Sequence, residues 1–132
     1  MHYKKLWLAL GICYIAFIIV GSLIKVPDIE TGMSHSDKVI HFFLYFILVG
    51  WFIQLYKKLS TRIIILCAAL ALGLLMETLQ GLTAYRSFDL IDQLANSIGA
   101  LSAFLLAATR FNSLLSSIDC WIYQTKIRLT SP

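Results

Sequence analysis

The chain has 132 residues, of which 59% are hydrophobic and only 14% charged, and its mean hydropathy is +0.80. A soluble domain of this size cannot clothe its surface with so few polar groups, which excludes that class and points to an integral membrane protein. The net charge of +4 comes mostly from basic residues at the ends of apolar stretches, so it reads as a topology signal and not as a nucleic-acid footprint.

Crossing the hydrocarbon core takes about 20 residues of helix. The expected fold is therefore all-α: a four-helix transmembrane bundle over residues 1–110, followed by an amphipathic tail over 111–132. A short basic start leads into the first span, 6–24. No small-residue cleavage site follows it, so it is taken as an uncleaved helix. Pro27 and Gly32 break the next loop, and Ser34 with Asp37 resembles an N-terminal capping pair for the second span, 39–56. Asp37, His41 and Tyr45 recur every four residues and share one face of that helix.

A basic loop over 57–62 precedes the third span, 63–82, in which Gly73, Glu77 and Gln80 fall on one face and Gly81 is the expected terminator. Asp89 and Asp92 open the fourth span, 90–109. Asp92, Asn96, Gly99 and Ala103 then form a polar-to-small stripe suited to close helix packing. After Arg110, the residues Phe111, Leu114, Leu115, Ile118, Trp121 and Ile122 recur at helical spacing. Serines, Asp119 and Gln124 lie between them, which predicts a helix lying on the membrane surface. Cys13, Cys67 and Cys120 lack metal-ligand spacing and are expected to be free thiols.

Counting lysines and arginines by loop places Lys4, Lys5, Lys57, Lys58, Arg62, Arg110, Lys126 and Arg128 on one side of the membrane and Lys25, Lys38 and Arg86 on the other. The positive-inside rule then puts both termini in the cytoplasm. Under that topology Asp37, Lys38, His41, Glu77, Gln80, Arg86, Asp89, Asp92 and Asn96 meet in one layer at the extracytoplasmic edge. A carboxylate inside a span costs on the order of 2–3 kcal/mol unless it is paired or protonated. Glu77 also lies at the helix end that disfavours negative charge. It needs a proton, an ion, or a cation among Arg86, Lys38 and His41.

Taken together, Asp37-Lys38-x-x-His41-Phe42-x-x-Tyr45, Glu77-x-x-Gln80 and Arg86-x-x-Asp89-x-x-Asp92-x-x-x-Asn96-x-x-Gly99 resemble the motifs of the VanZ family. The resemblance implies a four-helix membrane protein of the bacterial cell envelope, in the inner membrane. The family is named for a member linked to resistance to the glycopeptide teicoplanin.

The expected function is binding of, or action on, a lipid-linked envelope component. His41, Glu77 and Asp92 are assigned the acid/base work, and Asp37, Lys38, Tyr45, Gln80, Arg86, Asp89 and Asn96 the ligand contacts. Asp37, Glu77, Asp89 or Asp92 with His41 offers donors for a divalent cation, but no HExxH-like spacing is present, so no metal is assigned, nor any cofactor. Membrane lipids and a lipid-linked cell-wall precursor are the expected partners, with no nucleic acid. The alternative is a transporter subunit or assembly partner that works with a second copy or another membrane protein. In that case Asp37, Asp89 and Asp92 are helix caps, Asn96 and Gly99 packing residues, Tyr45 an interface aromatic, and Glu77 and Arg86 a structural pair.

Overall fold

Neither proline falls inside an apolar stretch, so nothing interrupts the helical backbone hydrogen bonds there. The computed structural model describes residues 1–24, 36–83 and 88–130. Among them are the helices α1 (Lys4–Leu23), α2 (Ser36–Leu55), α3 (Leu59–Gly81), α4 (Leu90–Leu106) and α5 (Leu114–Thr130), with one 3-10 turn at Arg110–Ser113 and no strand. The capping role expected of Ser34 lies outside the described residues.

Most boundaries differ from the sequence expectation by one to four residues, α1 beginning at Lys4 and α2 at Ser36, ahead of 6 and 39. Helix α3 begins at Leu59, inside the stretch read as a basic loop, because Leu59 to Arg62 contains no breaker and Lys58 provides an extended N-cap. The Arg62 Nε donates back to the Tyr56 carbonyl at 2.8 Å and fastens the short connection. Helix α4 stops at Leu106, where the chain turns through 82° into the tail. Its 17 residues rise about 26 Å, a little less than a ~30 Å hydrocarbon core.

The molecule is apolar outside and polar inside, the reverse of a soluble protein. Phe17, Ile64, Leu74 and Leu105 stand exposed on the outer faces, while His41, Glu77, Gln80, Asp92 and Asn96 are buried. That arrangement suits a hydrocarbon solvent, in which scattered polar groups must find partners within the bundle. The protein is a multi-pass membrane protein on this ground. Cys13, Cys67 and Cys120 are all exposed and unbridged.

The most extensive helix contact is between α2 and α4. Gly99 makes it possible, since a Cβ there would lie 2.1 Å from the Phe42 carbonyl oxygen. Ala100 and Ala103 continue the small stripe, both fully buried. With close approach of the backbones, dispersion contacts and short polar bridges replace the hydrophobic driving force that lipid does not supply.

The tail departs from a simple surface helix. Asp119, expected on the polar face of α5, is completely buried. Its carboxylate accepts hydrogen bonds from the His2 amide, from the Tyr3 amide at 2.9 Å and from the Trp7 indole at 2.7 Å. Helix α1 has no side-chain cap of its own, so α5 caps it from a distance in sequence. At the start of α5 itself, the Leu115 amide donates to the side-chain oxygen of Gln54 on α2 at 2.8 Å. His2 stacks on Tyr123 with ring centroids 3.7 Å apart.

Candidate functional site

At the end of the bundle opposite α5, the start of α2, the end of α3 and the start of α4 come together. Asp89 is the N-cap of α4, accepting from the Ile91 amide at 2.8 Å. That hydrogen bond outweighs the cost of partial burial and, with the Lys38 ammonium, holds the Asp89 carboxyl below the usual carboxylate range. Lys38, reaching across from α2, lies 3.3 Å from Asp89 Oδ2 and 3.2 Å from Asp92 Oδ1. Asp37 and Asp92 sit in first turns, where the helix dipole favours an anion.

His41 is the centre of this layer, only 7% exposed. Its Nδ1 lies 3.1 Å from Asn96 Oδ1 and 3.7 Å from Glu77 Oε1. Both neighbours accept, so Nδ1 carries a proton and donates to Asn96. On the other side of the ring, Nε2 faces Asp37 Oδ1 and Asp92 Oδ2, each at 3.8 Å. That is beyond hydrogen-bonding range.

Glu77 is 1% exposed. Its Oε2 accepts one long bond from the Asp89 amide at 3.5 Å, and its Oε1 has no hydrogen-bond partner among the described residues. Among the described residues the imidazole of His41 is its nearest compensation. Gln80, also buried, donates to the Ser22 carbonyl at 2.9 Å and ties α3 to the end of α1.

The residues singled out in the sequence are thus placed as follows. His41, Glu77, Asp92, Asn96, Lys38, Asp89 and Asp37 form one connected set. Gln80 is separate from it, on the side facing α1. Tyr45 lies one turn deeper, 2% exposed, with its hydroxyl buried and unpartnered among the described residues, so it is a core residue and not an interface aromatic. Arg86, and with it the expected Glu77–Arg86 pair, lies outside the described residues. The polar side chains face inward.

Sequence reading missed Gln93. Its side-chain oxygen is buried without a partner among the described residues, and it would stand 3.0 Å from a Cβ at Gly73. An amide three residues before Asn96 in an apolar segment was the available signal. Also missed was the apolar annex to the polar layer. A pocket of about 290 Å³ between α1, α2 and α3 is walled by Asp37, His41 and Gln80 at one end and by Phe17, Ile18 and Leu44 at the other. A second pocket of about 220 Å³, lined by Ile15, Leu48, Phe52 and Leu72, follows along the same three helices. Leu44 to Leu48 on α2 and Ile18 to Ile15 on α1 are each about one helical turn, so the two pockets succeed one another along one groove.

The family model described as VanZ/LLP1 matches residues 5–112. The chain belongs to the VanZ/LLP1 family. The match includes every residue of the polar layer and extends beyond the motifs to α1 and the 3-10 turn. The chain is also similar to an uncharacterized protein of Schizosaccharomyces pombe, 33% identical over 109 residues, which covers 80% of this chain and 66% of the yeast protein. No solved structure matches significantly. With a fission-yeast relative beside it, membership does not by itself place the chain in a bacterium.

Proposed function

We propose that the protein binds an amphiphilic lipid of the cell envelope, such as a lipid-linked precursor, and that His41 serves as the acid/base group for action on its head. The observation that carries this reading is the groove. Its polar end presents His41, Asp37, Gln80 and Ser22, and apart from Gly21 the rest of its lining is aliphatic and aromatic. A head group with an attached chain matches that sequence of surfaces.

His41 suits the role geometrically. Asn96 fixes its proton on Nδ1, and the ring is oriented as a base is oriented by a third group in hydrolytic sites. Asp92 and Glu77 flank the ring and would stabilise the positive charge it gains. The distribution of basic residues supports an orientation with the polar layer on the extracytoplasmic side and both termini in the cytoplasm, and on this reading the membrane is a bacterial inner membrane. Lipid-linked cell-wall precursors present their heads there, and a link to glycopeptide resistance would run through such a ligand.

Photo-crosslinking tests the reading. A photoreactive amino acid at Leu44 should capture lipid, whereas one at Leu94, which is exposed on α4, should capture far less of any defined species. Equal, unselective labelling at both positions contradicts the groove as a binding site.

A second reading is favoured by Lys38, whose two ion pairs join α2 to α4. Here the layer is a structural clasp within a transporter subunit or assembly partner, and replacing Lys38 lowers stability without altering any bound lipid.

A further inference from the structure

Four carboxylates, Asp37, Glu77, Asp89 and Asp92, surround the Lys38 ammonium and the His41 imidazole among the described residues of the layer. These are donors suited to a cation. We propose that Asp37, His41 and Asp92 hold a divalent metal cation, and that this ion is what receives the anionic head of the amphiphile. The second half of the proposal rests on the lipid binding proposed above and not on the acid/base role of His41, because Nε2 cannot both ligate the ion and take a proton; the first half rests on neither.

The geometry at His41 Nε2 is the basis. One atom from each of the three side chains lies within 4.8 Å of the other two. Nδ1 is engaged by Asn96, which leaves the Nε2 lone pair, without a hydrogen-bond partner among the described residues, as the coordinating position. This is the arrangement by which a metal-binding histidine is held in its ligating tautomer. A bare lone pair between two carboxylate oxygens at 3.8 Å is electrostatically unfavourable without a cation. An N–H donor there would draw an oxygen to about 2.9 Å. Adjacent ligands of a tetrahedral ion with bonds of about 2.1 Å are ~3.4 Å apart, so the two 3.8 Å distances from His41 need shorten by a few tenths of an ångström and the two carboxylate oxygens, within 4.8 Å of each other, move together by at most about an ångström and a half.

The division of labour within Asp92 fits as well. Oδ1 is paired with Lys38 and Oδ2 is turned towards His41, as expected of a monodentate ligand whose other oxygen is held from outside. Asp37 is half exposed and lines the groove, so an ion bound there has an open side facing the proposed head group. One imidazole and two carboxylates suit Mn²⁺ or Zn²⁺ better than the all-oxygen ions.

The test uses the full chain in detergent, treated with EDTA, freed of lipid and titrated with Mn²⁺, with unbound Mn²⁺ read by electron paramagnetic resonance. Wild type should bind one Mn²⁺ per chain. Asp37→Asn and Asp92→Asn should each weaken binding by about tenfold or more, and Lys38→Met, which frees Asp92 Oδ1, should bind at least as tightly as wild type. Asp37→Asn decides the matter if Asp92→Asn fails to fold, because Asp37 is the exposed member. Absence of saturable binding in folded wild type up to about 1 mM, or wild-type affinity in both asparagine variants, overturns the site. Since lipid is absent from the titration, a failure here leaves the groove untouched, and a failure of lipid capture leaves the ion site standing.

Discussion

Asp119 and His41 show how differently two buried polar residues can announce themselves. Burial opposes the charge on Asp119, but the His2 amide, the Trp7 indole and the Tyr3 amide together outweigh it and hold the carboxyl below its ordinary value of 3.8. A depressed folded-state value stabilises the fold above the ordinary value, and that contribution is lost as pH falls through the lowered one. Wild type is therefore expected to release α5 from the start of α1 below about pH 3.8, seen as a change in fluorescence around Trp7. Asp119→Asn should abolish that acid step and lower stability at neutral pH by about 1 kcal/mol, as for a lost cap; an unchanged acid step would refute the assignment. None of this was legible in sequence. A carboxylate following serines on an amphipathic helix looks the same whether water or the end of another helix solvates it. His41, Glu77 and Asn96 were legible because each is a polar group inside an apolar segment, where lipid leaves it no alternative to a partner.

Among the elements, the α2–α4 pair is the one most sensitive to a single change. Gly99→Ala places a Cβ against the Phe42 backbone oxygen, so the two helices must separate and the Ala100 and Ala103 contacts loosen with them. Thermal unfolding in detergent should show a loss of about 1–3 kcal/mol, the range of overpacked sites. Gly21→Ala, with nothing within 4 Å of the added atom, should be unchanged. Lys38→Met, which cuts the two bridges between the same helices, should cost on the order of 1 kcal/mol, a modest amount because the lysine is partly solvated. The four apolar stretches and the small stripe on α4 could be read directly, as periodicity and the 20-residue span are strong constraints. The early start of α3 and the early stop of α4 could not. Both depend on turn geometry around Lys58 and Thr109, where Thr109 caps the 3-10 turn through the Phe111 amide.

At the scale of the molecule, the alternation of helix direction collects the acidic and basic groups of α2, α3 and α4 at one end and the tail contacts of Asp119 and Gln54 at the other. The sequence pattern predicted the first gathering from topology alone. It gave no view of the groove, because Ile15, Leu48 and Leu72 are ordinary apolar residues whose concave arrangement arises only from how α1 leans on α2 and α3. Yet the groove turns the layer from a clasp into a candidate binding site. The most direct test of that claim is native mass spectrometry of wild type, Leu48→Trp and His41→Ala, each released from its own membrane. Wild type is predicted to retain a defined lipid, Leu48→Trp to lose it because the indole fills the apolar length of the groove, and His41→Ala to hold it less tightly or to accumulate it unprocessed. Retention of the same lipid by Leu48→Trp, or of no defined lipid by wild type, would contradict the account.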